Sequence, residues 1–178
     1  MFFFETYVHK IIPYDLINTF FYTNLIEIPI LKKIILNFGF QKSNFKYLVS
    51  SLLALEFLTA KKGKITTSRH LNVFLKIKKG NPVGCKIILK KSTMYFFYLK
   101  LITSVFSKIK KSQTYRFYWD QKTKKSASFQ IKNPLLFTEL ENQFQFFKNI
   151  PRLDITLLTS TSSQKELYFL LKSIKFSV

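Results

Sequence analysis

Between Lys64 and Lys91 apolar and basic residues alternate, and a period of two commits a segment to strands with one buried and one solvated face. Val73, Leu75 and Ile77 fall on one side of the pattern, Phe74, Lys76 and Lys78 on the other. After Lys79-Gly80-Asn81-Pro82-Val83-Gly84 the alternation resumes, with Ile87 and Leu89 inward and Lys86 and Lys90 outward. Glycine and proline supply turn geometry, so the segment is predicted to form a β-hairpin with a long basic tip. Such strands need neighbours that continue their apolar face, which implies a sheet packed on one side only.

The flanks provide those neighbours. From Ile28 to Phe38 the pattern is β-like, with Ile34, Leu36 and Phe38 on one face and Lys33, Ile35 and Asn37 on the other. Leu153 to Thr159 is a further strand, preceded by weaker strand signals around Phe129–Ile131. Helices are predicted over 2–22, broken near Pro13, and over 43–58, where Leu48, Leu52, Leu55 and Leu58 recur near helical spacing. Another is predicted from Ser92 as N-cap, with the stripe Met94, Phe97, Tyr98, Leu101 and Val105. Ser163-Gln164-Lys165-Glu166 has capping-box spacing and opens a last helix to about Ser173. Residues 108–126 are basic and irregular, the expectation for a mobile loop. The fold class is therefore α+β: an antiparallel sheet with helices packed on one face and the other face open.

No internal repeat and no Pro/Gly-rich linker divides the chain, so residues 1–178 are expected to form a single domain. Within it, 1–23 is an N-terminal helical stretch, 24–107 holds sheet, hairpin and helices, 108–149 is a loop region, and 150–178 is a closing strand and helix. Apolar residues are 47% of the chain, enough for a packed core.

Charge then says what the open face is for. With 29 Lys+Arg against 9 Asp+Glu, the formal net charge is +20. Self-repulsion on that scale is relieved by a polyanion, nucleic acid above all, with an anionic membrane surface as the competitor. On the open face Lys33, Asn37, Lys76, Lys78, Lys86 and Lys90 are expected to stand together without a carboxylate, a platform for an RNA backbone.

Lysine dominates, with Arg only at 69, 116 and 152, and Phe occurs 21 times against 4 Gly. Lys, Phe, Ile, Asn and Tyr have AT-rich codons, so part of this bias records base composition of the kind found in compact organelle genomes. Met1-Phe2-Phe3-Phe4 runs straight into Glu5, with neither a signal peptide's basic start nor an Arg-rich presequence, which fits synthesis inside the organelle. No uncharged apolar run reaches the roughly 18 residues a membrane span needs. A lone cysteine, Cys85, excludes an internal disulfide.

The hairpin carries a resemblance. Leu75-Lys76-Ile77-Lys78-Lys79-Gly80-Asn81-Pro82-Val83-Gly84-Cys85-Lys86-Ile87-Ile88-Leu89-Lys90 is similar to the signature F-K-x-R-x-G-x-P-[IV]-G-x-x-V-T-L-R of ribosomal protein five of the large subunit. Upstream, Ile28-Pro29-x-x-x-Lys33-Ile34-x-Leu36-Asn37-x-Gly39 resembles that family's first strand, and Thr66 and Arg69 match its T-[KR]-[AS]-[KR] segment. Downstream, Leu153-Asp154-Ile155-Thr156 and Thr159 resemble its last strand. The blocks are colinear and span about Asn24 to Ser173.

The resemblance implies a structural constituent of the large ribosomal subunit, working in translation without enzymatic activity or cofactor. It implies a concave sheet face holding 5S rRNA, alongside other large-subunit rRNA, here through Lys33, Asn37, Lys61, Thr66, Arg69, Lys86 and Lys90. It implies a protruding hairpin that reaches peptidyl-site tRNA, here through Lys76, Lys78, Lys79, Gly80, Asn81 and Pro82. Neighbouring ribosomal proteins, among them a head protein of the small subunit across an intersubunit bridge, are the further partners it implies. With the codon bias, the mitochondrial ribosome is the expected location and a reduced plastid the second choice. The chain departs from the family pattern at Ile88, where the family has Thr, and at Lys78 and Lys90, where it prefers Arg. Lys61 stands for Gln, Gly63 for Pro and Arg152 for Gly, and 108–149 keeps almost none of the pattern.

Catalytic chemistry is not expected. Two histidines and one cysteine offer no zinc-ligand spacing, and no phosphate-cradling glycine motif occurs. His9 and His70 are read as packed or RNA-facing. Cys85, although flanked by Lys86 with the lowered thiol pKa that neighbour would favour, is read as a small hydrophobe. Glu139 and Glu141 are the nearest carboxylate pair and lack a partner for acid/base work. Tyr115, Phe117, Tyr118 and Trp119 leave two readings, stacking on rRNA or packing on a neighbouring protein. The alternative function is a peripheral protein that binds anionic lipid through Lys/Phe surfaces, which calls for a helix with lysines on one side and Phe/Leu on the other.

Overall fold

A computed structural model describes residues 2–40, 45–109, 115–119 and 125–174. In chain order the elements are α1 (Phe2–Lys10), α2 (Ile12–Thr19), β1 (Leu31–Gly39), α3 (Phe45–Thr59), β2 (Lys64–Thr67), β3 (Pro82–Leu89) and α4 (Ser92–Lys100). A π-type stretch, Leu101–Phe106, prolongs α4 into α5 (Ser107–Ile109). Then follow β4 (Tyr115–Trp119), β5 (Ser126–Ile131), α6 (Thr138–Glu141), α7 (Phe144–Phe147), β6 (Leu153–Thr159) and α8 (Gln164–Ser173).

The strands form one antiparallel sheet in the order β2-β3-β1-β6-β5-β4. Period-two patterning decides which side packs. Ile34, Leu36 and Phe38 of β1, Cys85, Ile87 and Leu89 of β3, Phe129 and Ile131 of β5, and Leu153, Ile155 and Leu157 of β6 are all buried. They join one cluster with Val8, Ile12 and Leu16 from α1 and α2, Leu55 and Leu58 from α3, Phe97 and Tyr98 from α4, and Leu167, Leu170 and Leu171 from α8. At about 1.5–3 kcal/mol for each large side chain buried, this layer is what holds the sheet. The α+β class with helices on one face is as the patterning implied.

Local signals explain the element ends. The break between α1 and α2 falls at Ile11, where Pro13 can occupy the first turn of α2 because its missing N–H would have no partner there. Ser163 Oγ accepts from the Glu166 backbone, and Glu166 reaches back to the Ser163 amide, the reciprocal cap the spacing implied. Ser92 does not cap α4: it is the first helical residue, and Lys91 at φ +54 precedes it. Thr93 Oγ1 instead donates to the Lys90 carbonyl at 2.9 Å.

Two expectations need correction. Tyr115–Trp119, predicted within a loop, is β4, paired in register with β5 from Tyr115 opposite Ile131 to Trp119 opposite Ala127. Aromatic residues have strand propensity, and flanking lysines mask it. The rest of that predicted loop, 110–114 and 120–124, lies outside the described residues. Val73, Leu75 and Ile77 do not form a strand face either: of the three only Ile77 is buried, and β2 ends at Thr67.

Candidate nucleic-acid interface

Cross-strand partners share a face, so the register maps the open side of the sheet. One row runs Lys64, Lys86, Asn37, Asp154, Gln130, each opposite the next, with Arg116 the register partner of Gln130. The adjoining row runs Ile88, Ile35, Thr156, Ser128. Lys33 and Lys90 lie at the next position beyond it along β1 and β3. Lys64 directly opposite Lys86 is a like-charge pair, unfavourable in the free protein and relieved by a phosphate between them.

The hydroxyls and amides are fixed by short contacts. Ser128 and Thr156 share a hydrogen bond at 3.1 Å, and Gln130 Nε2 donates to Asp154 Oδ1 at 2.5 Å. Asp154 corrects the expectation of a face without a carboxylate: it stands opposite Asn37. Lys76 and Lys78, expected on this face, are in no strand and lie in the excursion between β2 and β3.

At the β2 edge the open face deepens into a cleft of about 300 Å³ lined by Lys61, Lys62, Lys64, Lys86, Ile87, Ile88 and Lys90. Lys61 Nζ donates to Thr93 Oγ1 at 3.1 Å, which ties the end of α3 to the start of α4 across the cleft wall. Neither ion pair found among the described residues involves a cleft lysine. Lys61, Lys86 and Lys90 are among the residues the sequence singles out; Lys62 and Lys64 are not. The signal is available in Lys61-Lys62-x-Lys64, a basic run leading from a helix end into an edge strand.

Residues 68–81 rise from the sheet as an excursion closed by backbone bonds at two levels. Ser68 N donates to Asn81 O at 2.9 Å and Gly80 N to Ser68 O at 3.0 Å. Above them Asn72 and Ile77 exchange bonds of 2.9 and 3.0 Å. Asn72 Oδ1 also accepts from Leu75 N at 3.1 Å, an Asx turn that bends the chain where a strand would run straight. Lys76 has φ +53. The tip is therefore Val73–Lys76, and Phe74 is 99% exposed there. Lys78, Lys79, Gly80 and Asn81, expected at the tip, form a turn on the returning limb, with Asn81 N bonded to Lys78 O at 3.2 Å. Gly80 at φ +88 takes the third position, where glycine carries no steric penalty. Arg69 is exposed on the outgoing limb, and Thr66 lies in β2 opposite Gly84.

The remaining reactive groups are held in structural roles. Burial pushes the Cys85 thiol up to about 12, the reverse of the activation its lysine neighbour would favour. His9 Nε2 shares a hydrogen bond with Tyr95 Oη at 3.1 Å, and His70 is exposed on the outgoing limb of the excursion. Glu139 pairs with Lys100 at 2.9 Å and Glu141 with Lys108 at 2.7 Å. Among the described residues no three His, Cys, Asp or Glu side chains converge as a metal site, and no helix is long and apolar enough to cross a membrane.

Residues 82–178 match the family model for the C-terminal region of the large-subunit ribosomal protein uL5. The chain is 32% identical over 173 residues to the large ribosomal subunit protein uL5m of Reclinomonas americana, covering 96% of this chain and 94% of that one. It is 31% identical over 166 residues to uL5 of Wigglesworthia glossinidia brevipalpis, with 89% of each covered. With uL5 of Blochmanniella floridana it shares 28% over 180 residues, 96% of this chain and 89% of the relative.

Proposed function

The chain belongs to the uL5 family of ribosomal proteins, and on that premise we propose that it is a structural constituent of the large ribosomal subunit that grips 5S rRNA with its open sheet face. The observation that carries the reading is the Lys64–Lys86–Asn37 row, two facing lysines and an amide across three adjacent strands. Ammonium groups neutralise phosphates whatever the base sequence, and amides and hydroxyls donate to phosphate or sugar oxygens. Lys33, Lys61, Thr66, Arg69 and Lys90 complete the proposed rRNA contacts. Members of this family build ribosomes and are not enzymes.

The excursion is the proposed tRNA contact. Supporting this are its two-level closure, which stiffens it, and the exposed Lys76, Lys78 and Lys79 along it. Gly80, Asn81 and Pro82 shape its base, and Val73 and Phe74 lead. A bridge to a head protein of the small subunit belongs to the same proposal. The ribosome is where the protein works; the mitochondrial ribosome is our finer reading, supported by the codon bias and the likeness to uL5m, with bacterial relatives of similar identity beside it. The lipid-surface alternative is not favoured, because the clustered charge lies on strands and on the excursion between them.

Two measurements test this. In a sucrose gradient of organelle lysate the chain should travel with the large subunit; a position at the top of the gradient would remove the ribosomal assignment for this organelle. Binding of the purified protein to a 5S rRNA transcript should weaken steeply with salt, by roughly 0.7–0.9 in log affinity per log salt for each phosphate neutralised. Binding that ignores salt would rule out the sheet as the gripping surface.

A further inference from the structure

The cleft at the β2 edge has a makeup that backbone contact alone does not explain. Its rim is cationic, with Lys61, Lys62, Lys64, Lys86 and Lys90 around a space of about 300 Å³. Its floor is aliphatic. Ile88 is 43% exposed, faces the open side of the sheet, and stands directly opposite Ile35, itself partly exposed. A phosphodiester chain lying over the lysines would leave Ile88 in water and gain nothing from it. A nucleobase would cover it, because unstacked bases in RNA are bound face-on by flat side chains or apolar surface while their phosphates meet cations.

Size and access narrow the occupant. The volume is at the lower end of the roughly 300–1,000 Å³ of small-ligand sites, which suits one nucleotide and excludes a duplex. The cleft opens at β2, an edge strand of only four residues, so an RNA strand can approach from the side without crossing the sheet. Lys61 is committed to Thr93. Lys62, Lys64, Lys86 and Lys90 have no carboxylate partner among the ion pairs of the described residues.

We propose that this cleft takes a single unstacked nucleotide of the rRNA, its base against Ile88 and its flanking phosphates on Lys62, Lys64 and Lys86. The proposal rests on the reading of the sheet as the rRNA face and adds to it a site that fixes the RNA's register along the sheet.

The test uses the full chain and a bacterial 5S rRNA transcript, intact or with an abasic nucleotide at each unpaired position in turn, with affinity read by filter binding. In the wild-type protein, loss of the base at one position should weaken binding on the order of fivefold. In Ile88→Ser that same abasic RNA should bind as well as the intact one, because the seat is already gone. Ile88→Val, which keeps an apolar surface, should retain the penalty. Lys62→Ala with Lys64→Ala should lower the salt slope by about 1.4, two single-strand phosphates. If intact RNA binds but no abasic position matters, or the penalty persists in Ile88→Ser, the nucleotide seat is wrong while the rRNA face stands. If intact RNA does not bind the wild-type protein at all, the rRNA face itself is wrong.

Discussion

The side-chain amide of Gln130 donates to the Asp154 carboxylate across β5 and β6, and Asp154 is in turn the register partner of Asn37 on β1. An acid thus sits in the middle of a face otherwise made of lysines, amides, hydroxyls and a few aliphatic residues. Against an RNA backbone it is repulsive, and Gln130 holds it in place without neutralising it. Asp154→Asn should keep a hydrogen bond to Gln130 and remove the charge, tightening 5S rRNA binding about threefold at moderate salt. Filter binding checks this. A clear loss of affinity would mean that the carboxylate accepts from a donor on the RNA.

Gly84 is the tightest point of the sheet. A Cβ there would sit 2.4 Å from the Phe38 carbonyl oxygen and 3.0 Å from Thr66 Oγ1. The carbonyl belongs to β1 and cannot yield without moving the β1–β3 register. Gly84→Ala is therefore expected to destabilise by about 1–3 kcal/mol in urea unfolding, with no rescue by Thr66→Ala. Gly39→Ala on the neighbouring strand should be tolerated, since the nearest atom is Asn37 Nδ2 at 4.0 Å. Equal costs at the two glycines would contradict the packing.

Lys100 ties three helices together. It pairs with Glu139 in α6, donates to the Leu58 carbonyl at the end of α3, and lies over the Phe96 ring at 5.5 Å, with only 16% of its side chain exposed. Burial pushes the Glu139 carboxyl up, but hydrogen bonds from Lys100, the backbone and Thr138, together with the Lys100 charge, hold it below its ordinary value. A depressed carboxyl pKa stabilises the fold above the unfolded-state value and loses that contribution as pH falls through the folded one. The stability gap between wild type and Glu139→Gln should therefore be widest at neutral pH and close below the ordinary carboxylate range. Urea unfolding across that range measures it, and a gap that widened on acidification would refute the pairing.

Strong local rules make much of this legible in the sequence. β6 follows Leu153 to Thr159 because alternation and a buried partner on each side agree, and α8 follows its capping box. The excursion is not legible in the same way, because alternation continues through Val73–Ile77, where no neighbouring strand exists to reward it. Asn72 captures the Leu75 amide and Lys76 accepts a positive φ, and neither event leaves a periodic trace. Asp154 and the Lys62–Lys64 wall are hidden for a different reason. Which residues share a face depends on pairing between strands far apart in sequence, such as Asn37 with Asp154, and register is a tertiary fact.

The corrected excursion changes how its role should be probed. Lys78 and Lys79 lie on the returning limb and leave the sheet face untouched, so Lys78→Glu with Lys79→Glu reverses charge beside the excursion without touching the Lys64–Lys86–Asn37 row. The double variant should bind 5S rRNA nearly as wild type does and should sediment with the large subunit. If the excursion meets tRNA phosphates, peptidyl-site tRNA occupancy and translation should fall, and Phe74→Ser with Lys76→Ser at the tip should fall further. Lys64→Ser with Lys86→Ser should show the opposite pattern, losing rRNA affinity first. Sedimentation and in-organelle translation, measured on the same three variants, separate the two surfaces. Normal translation in both excursion variants would remove the tRNA contact and leave the sheet face as the protein's one RNA-binding surface.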